Sequence, residues 1–236
     1  MARSLWLTKR KPQAAVLMAA IMSATGLLSA QDRIEHGCFY AVTVGANKSE
    51  VRTCKDSDPL NFSNNTDIKK VILDFGLSQN RIRFKGCPDQ PFSAYADQLA
   101  GSYVVTYPSN QTEKFLVPII HELAHVLQMH AAGGQRELMK KFTVNASKRI
   151  ELGADYLTGV IFAKLFKDAK LDAFQQNLSV MGQYKELDAV AHGSQQERIV
   201  AFRRGVFLTP LQLERDASAT HEYFQGNIYG EIIKFP

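Results

Sequence analysis

The sequence predicts an α+β fold, with strands in its first half and helices filling its second. Two observations carry that expectation. Segments with strand-like alternation or β-branched and aromatic enrichment all end by Tyr107, whereas from Pro118 onward apolar residues recur at helical spacing between recognisable caps. The 236 residues contain no repeat, low-complexity run or proline-rich linker, which argues for one domain rather than two.

Arg3, Lys9, Arg10 and Lys11 make a basic start, Ala14 to Leu28 is apolar, and Leu28-Ser29-Ala30 ends in the small residue that a signal peptidase needs. Residues 1–30 therefore read as a signal peptide cut before Gln31, leaving 31–236 as a single exported domain, periplasmic or extracellular. The apolar core, about 15 residues, is short of the roughly 20 that span a bilayer, so no stable membrane insertion of the mature chain is expected. No cysteine follows it, which argues against a lipoprotein. Losing this segment removes four positive charges and no negative ones, taking the formal charge from +5 to +1. The basic balance thus belongs to the leader, and nothing argues for nucleic acid.

Within 31–60, Cys38 to Val44 and Ser49 to Cys54 read as two strands joined by a Gly-Ala-Asn-Lys turn. In an oxidising compartment a Cys38–Cys54 bridge across that hairpin is the preferred pairing, with Cys87 left over and other pairings open. No two of these thiols lie at finger-like spacing, so they are not expected to bind zinc. Ile68, Val71, Ile72 and Phe75 then repeat at helical spacing, opened by Asn64-Asn65-Thr66 and closed by Gly76. Arg81 to Phe84 and Tyr103 to Tyr107 look like strands. Helices are expected over about Val117 to Ala132, Asn145 to Phe166, Leu171 to Gln183 and Ser194 to Phe207. A last one is opened by the capping box Thr209-Pro210-Leu211-Gln212.

His121-Glu122-Leu123-Ala124-His125 is the segment that carries chemistry. On a helix the two imidazoles fall on one face, about 40° apart, with the glutamate roughly 100° from the first. Both rings can then bind one Zn²⁺, leaving Glu122 to take a proton from water at the open position. The plainer reading, two core histidines, has to account for a buried carboxylate between them. The metzincin branch would place glycine and histidine where Gln128 and Ala131 stand, and is excluded. His130 lies about 140° around the helix from His125 and faces away. The better third ligand is Glu151, which shares a helix face with Asp155, four residues on. Asp155 could accept the other ring N–H of a ligand histidine and fix its tautomer.

Taken together, HELAHVLQ, ELGADYLTG and His192-Gly193-Ser194 with Arg198, Phe202 and Gly205 resemble the gluzincin metallopeptidases. The nearest resemblance is to the family of neutral zinc metallopeptidases, whose pattern runs HExxHxxQ, ELxADxxxG, HGSxxxR. It covers about Pro118 to Gly205 and departs at Ala124, commonly glycine there, and at Tyr156, often cysteine. The resemblance implies a zincin-like domain and one Zn²⁺ on His121, His125 and Glu151, with Glu122 as general base and Asp155 behind a ligand. It also suggests Tyr103 to Tyr107 as the upper edge of the cleft, where an extended peptide could pair.

An oxyanion donor is also needed. His192, just ahead of the capping box Ser194-Gln195-Gln196-Glu197, and Tyr156, beside the metal-binding face, are the two candidates, while Arg198 could instead anchor the loop by a salt bridge. The expectation is a secreted or periplasmic zinc metalloendopeptidase acting on peptides or proteins. The rivals are a non-catalytic zinc-binding or interaction protein and a zinc amidase acting on cell-wall material.

Overall fold

The computed structural model describes residues 57–88, 92–97, 100–109, 116–142, 146–165, 192–208 and 216–233. The expected signal peptide, the Cys38–Cys54 hairpin, the helix over Leu171 to Gln183 and the helix start at Thr209 lie outside them. The described part is mixed α+β, a small three-stranded sheet followed by a mainly helical remainder. Among the described residues, no helix is long and apolar enough to cross a membrane.

Helix α1 (Thr66–Asp74) starts at Asn65, whose side chain accepts the N–H groups of Asp67 and Ile68, and ends before Gly76, held at φ 71°. It buries Ile68, Val71 and Ile72, each contributing about 1.5–3 kcal/mol. Strands β1 (Ile82–Cys87), β2 (Ser93–Asp97) and β3 (Ser102–Pro108) form a sheet in the order β1-β3-β2. β1 runs parallel and β2 antiparallel to β3, with Phe84 and Ala94 both opposite Val105. This corrects the expected place of Tyr103 to Tyr107. The segment is the central strand, its main chain paired on both sides, so it has no edge to offer a peptide.

Cys87, at the end of β1, is disulfide-bonded, which overturns its assignment as the leftover thiol. With three cysteines in the chain, a Cys38–Cys54 bridge cannot coexist with that bond, and the partner of Cys87 lies outside the described residues.

Helix α2 (Leu116–Ala132) is buried without a break from Val117 to Met129, with Pro118 in its first turn. It stops where expected. Gly133 and Gly134 take positive φ, and the Gly134 N–H closes on the Met129 carbonyl at 2.8 Å. A short helix α3 (Gln135–Lys140), not expected from the sequence, follows, and its Gln135 side chain accepts the Ala96 N–H of β2.

Helix α4 (Ala146–Leu165) is buried from Ile150 to Phe162 and packs along α5 (Gln195–Leu208). The two backbones meet at a pair of glycines. A Cβ on Gly159 would sit 2.1 Å from the Phe202 carbonyl oxygen, and one on Gly205 equally close to that of Tyr156. The described chain closes with α6 (Ala217–Tyr223), a π turn (Phe224–Ile228) and α7 (Tyr229–Ile232). Arg149 of α4 holds this tail, its guanidinium 4.1 Å from the centre of the Tyr229 ring and its carbonyl accepting from Gln225.

Candidate metal centre

Helix α2 projects His121 and His125 from one face, their rings edge to face with centroids 4.8 Å apart. Helix α4 crosses there and sets Glu151 against both. Its Oε2 is 3.4 Å from His121 Nε2 and its Oε1 is 3.5 Å from His125 Nε2. Ligands about 2.05 Å from a tetrahedral metal stand roughly 3.3 Å apart, so the nitrogen–oxygen spacings suit one cation, and the three donor atoms all lie within 4.8 Å of one another. Both His121 nitrogens and both Glu151 oxygens are buried with no hydrogen bond of good geometry among the described residues, although Nδ1 has Asp155 Oδ1 at 3.0 Å. Such atoms cost several kcal/mol when nothing compensates them. Two imidazoles and one carboxylate fit a borderline cation such as Zn²⁺ as donors, and the residues present therefore fit a metal.

A second layer holds these groups. Asp155, one turn after Glu151, puts Oδ1 3.0 Å from His121 Nδ1. Arg198 of α5 grips the same carboxylate with both arms, Nε to Oδ2 at 2.7 Å and Nη2 to Oδ1 at 2.8 Å, and both side chains are buried. Sequence reasoning offers Arg198 as an anchor for a loop by a salt bridge; the salt bridge described here is to Asp155, the carboxylate behind a candidate ligand.

The charges follow from these neighbours. Burial alone would raise the Glu151 pKa, but His125, His192 and His121 around it hold the carboxyl well below its usual range. Burial likewise opposes ionisation of Asp155, and Arg198, with His121, outweighs it and keeps that carboxyl low. Burial would lower the pKa of His121, yet Asp155 and Glu151 raise it to about 9, so without a metal a proton takes up part of the cation's role.

His192 reaches the same place from the loop before α5, with Nδ1 4.0 Å from Glu151 Oε2. Gly193, at φ 86°, makes that turn, and a Cβ there would meet the Leu152 side chain at 2.8 Å. The capping box is formed as well, Glu197 Oε2 accepting the Ser194 N–H and Ser194 Oγ accepting the Glu197 N–H.

Tyr156 does not join the site. It lies about 140° from Glu151 around α4, fully buried, its ring 5.1 Å from that of Phe224 in the core. His130 is exposed at the end of α2 beside the Tyr103 hydroxyl. Glu122 is fully enclosed, as are His121, His125, Glu151 and Asp155, all at 0% exposure, and His192 is at 8%.

Gln128 closes the HExxHxxQ pattern but has no role in the sequence reading, and the structure makes it a participant. Its Oε1 lies 3.0 Å from His125 Nδ1, and its Nε2 donates to the carbonyl of Ile150, next to Glu151, at 2.9 Å. The amide thereby staples the two helices that bear the site. Its place three residues after His125, one turn along the same face, was a usable signal. Comparison with protein-family models, with curated proteins and with solved structures finds no match for this chain.

Proposed function

We propose that the chain is an exported zinc-dependent metalloendopeptidase with a zincin-like domain of the gluzincin type. The observation that carries this reading is the meeting of His121, His125 and Glu151 around one point, with Glu122 left over as a carboxylate outside the ligand set. Zn²⁺ held by His121, His125 and Glu151 would supply a Lewis acid for a peptide carbonyl and for the attacking water. Glu122 takes a proton on its carboxylate from the water whose oxygen bonds to the carbonyl carbon, and gives it to the amine nitrogen as the C–N bond breaks. The His192 ring, at the least enclosed corner of the site, donates to the developing oxyanion. The disulfide at Cys87 supports a periplasmic or extracellular location, where such bonds persist. Substrate is a peptide or protein, and nucleic acid has no part.

One observation favours a second reading. The ligands and Glu122 are wholly enclosed, as befits a metal site that serves folding or partner binding. Cleavage of a peptide library and of cell-wall fragments by wild type and Glu122→Gln separates the readings. Peptide cleavage that disappears in Glu122→Gln supports the peptidase. Cleavage of cell-wall amides alone makes the protein an amidase. Equal inertness of both proteins with zinc bound refutes catalysis.

A further inference from the structure

We propose that His221, on the C-terminal helix α6, is a positioning residue for the metal centre. Together with the Ile150 carbonyl it holds the Gln128 amide, and through it the tautomer in which His125 meets the metal. This rests on the metal reading above.

Gln128 Nε2 carries two hydrogens. One goes to the Ile150 carbonyl at 2.9 Å, and the other faces His221 Nδ1 at 3.4 Å. With both engaged, Oε1 must face His125, where it lies 3.0 Å from Nδ1 and accepts the ring N–H. The His125 lone pair is then at Nε2, the nitrogen turned toward Glu151. A flipped amide would aim Oε1 at the Ile150 carbonyl, acceptor against acceptor, and would take from His221 Nδ1 the N–H that it faces.

His221 suits this role only as a neutral ring, because a protonated imidazole has no lone pair to offer. Burial pushes its pKa down to about 4, the Lys141 ammonium adding in the same direction, so the ring is neutral near pH 7. The contact also depends on an absent side chain. A Cβ on Gly153 of α4 would lie 2.7 Å from Gln128 Nε2 and 3.3 Å from the His221 ring. Gly153 therefore opens the gap through which residues 93 positions apart touch.

The test uses the full chain, as wild type, His221→Phe and His221→Gln, the last restoring an acceptor. Two quantities are read: the His125 tautomer by nitrogen NMR of metal-free protein in weakly basic buffer, and zinc affinity by chelator competition. Wild type and His221→Gln are expected to hold His125 as the Nδ1–H tautomer and to bind zinc within about threefold of each other. His221→Phe mixes tautomers and binds roughly tenfold more weakly, the lower end of what loss of an outer partner costs. A folded His221→Phe with unchanged tautomer and unchanged affinity overturns the proposal. Should His221→Phe fail to fold, Gly153→Ala displaces the Gln128 amide while keeping both partners, and the same unchanged pair of readings overturns it. If wild type binds no zinc, the metal reading falls and the tautomer alone decides the role of His221.

Discussion

Replacing Arg198 by methionine strands a charge. Arg198 and Asp155 are 1% and 0% exposed, and the guanidinium supplies two charge-assisted hydrogen bonds at 2.7 and 2.8 Å. Without it the carboxylate keeps, among the described residues, the His121 contact at 3.0 Å. Breaking a buried pair from one side costs about 3–5 kcal/mol. At roughly 2–4 °C per kcal/mol for a chain of this size, the melting temperature of metal-free protein falls by about 6–20 °C at neutral pH. The pH dependence gives a second check. In wild type Asp155 titrates below its ordinary value, so its contribution is present at neutral pH and is lost as pH falls through the acid range. In Arg198→Met, burial raises the same carboxyl, and protonation on acidification removes the stranded charge. The gap between the two proteins must therefore narrow as pH falls. Denaturant unfolding of Arg198→Met, Asp155→Asn and the double variant completes a cycle. A loss below about 1 kcal/mol at neutral pH, or two single losses that simply add, would refute the reasoning.

Alanine at Gly159 or at Gly205 forces apart two backbones, since each new Cβ would lie 2.1 Å from a carbonyl oxygen. Each variant should lose about 1–3 kcal/mol or more in urea unfolding, and neutrality at both would show that the helices separate freely. His221 has a folded pKa of about 4 against an ordinary 6.5, so the unfolded chain takes the proton first. Its contribution, about 3 kcal/mol, is complete above pH 6.5 and is lost as pH falls to about 4, and His221→Phe should not show that loss. Unreduced peptide mapping should find Cys87 linked to Cys38 or Cys54, and a free Cys87 thiol would contradict the bond assigned to it.

What the sequence made legible was local. The Asn65 cap and Gly76 bounded α1, the Gly133-Gly134 pair ended α2, and the Ser194–Glu197 box opened α5, each within a residue or two of the expected place. The spacing of His121 and His125, and of Glu151 and Asp155, put each pair on one helix face, where the structure has them. What was missed depends on pairing across the chain. β2, Ser-Ala-Tyr-Ala-Asp, has little strand propensity of its own and is a strand because it lies against β3. The central place of β3 could have been suspected from its nearly unbroken apolar run, since a half-exposed strand would alternate. The Cys38–Cys54 pairing followed from proximity in sequence, which does not determine connectivity. Closeness in sequence to Glu151 suggests a place for Tyr156 at the site, whereas its ring packs against Phe224. The contact between Gln128 and His221 has no local signature at all.

The most direct test of the account is the metal content of the purified protein beside Glu151→Gln and Glu122→Gln, with affinity measured by chelator competition. Wild type and Glu122→Gln should each hold one zinc per chain, and Glu151→Gln should lose it or bind at least a hundredfold more weakly. Wild type without metal, or Glu151→Gln with undiminished affinity, would contradict the claim that these three residues form a metal centre.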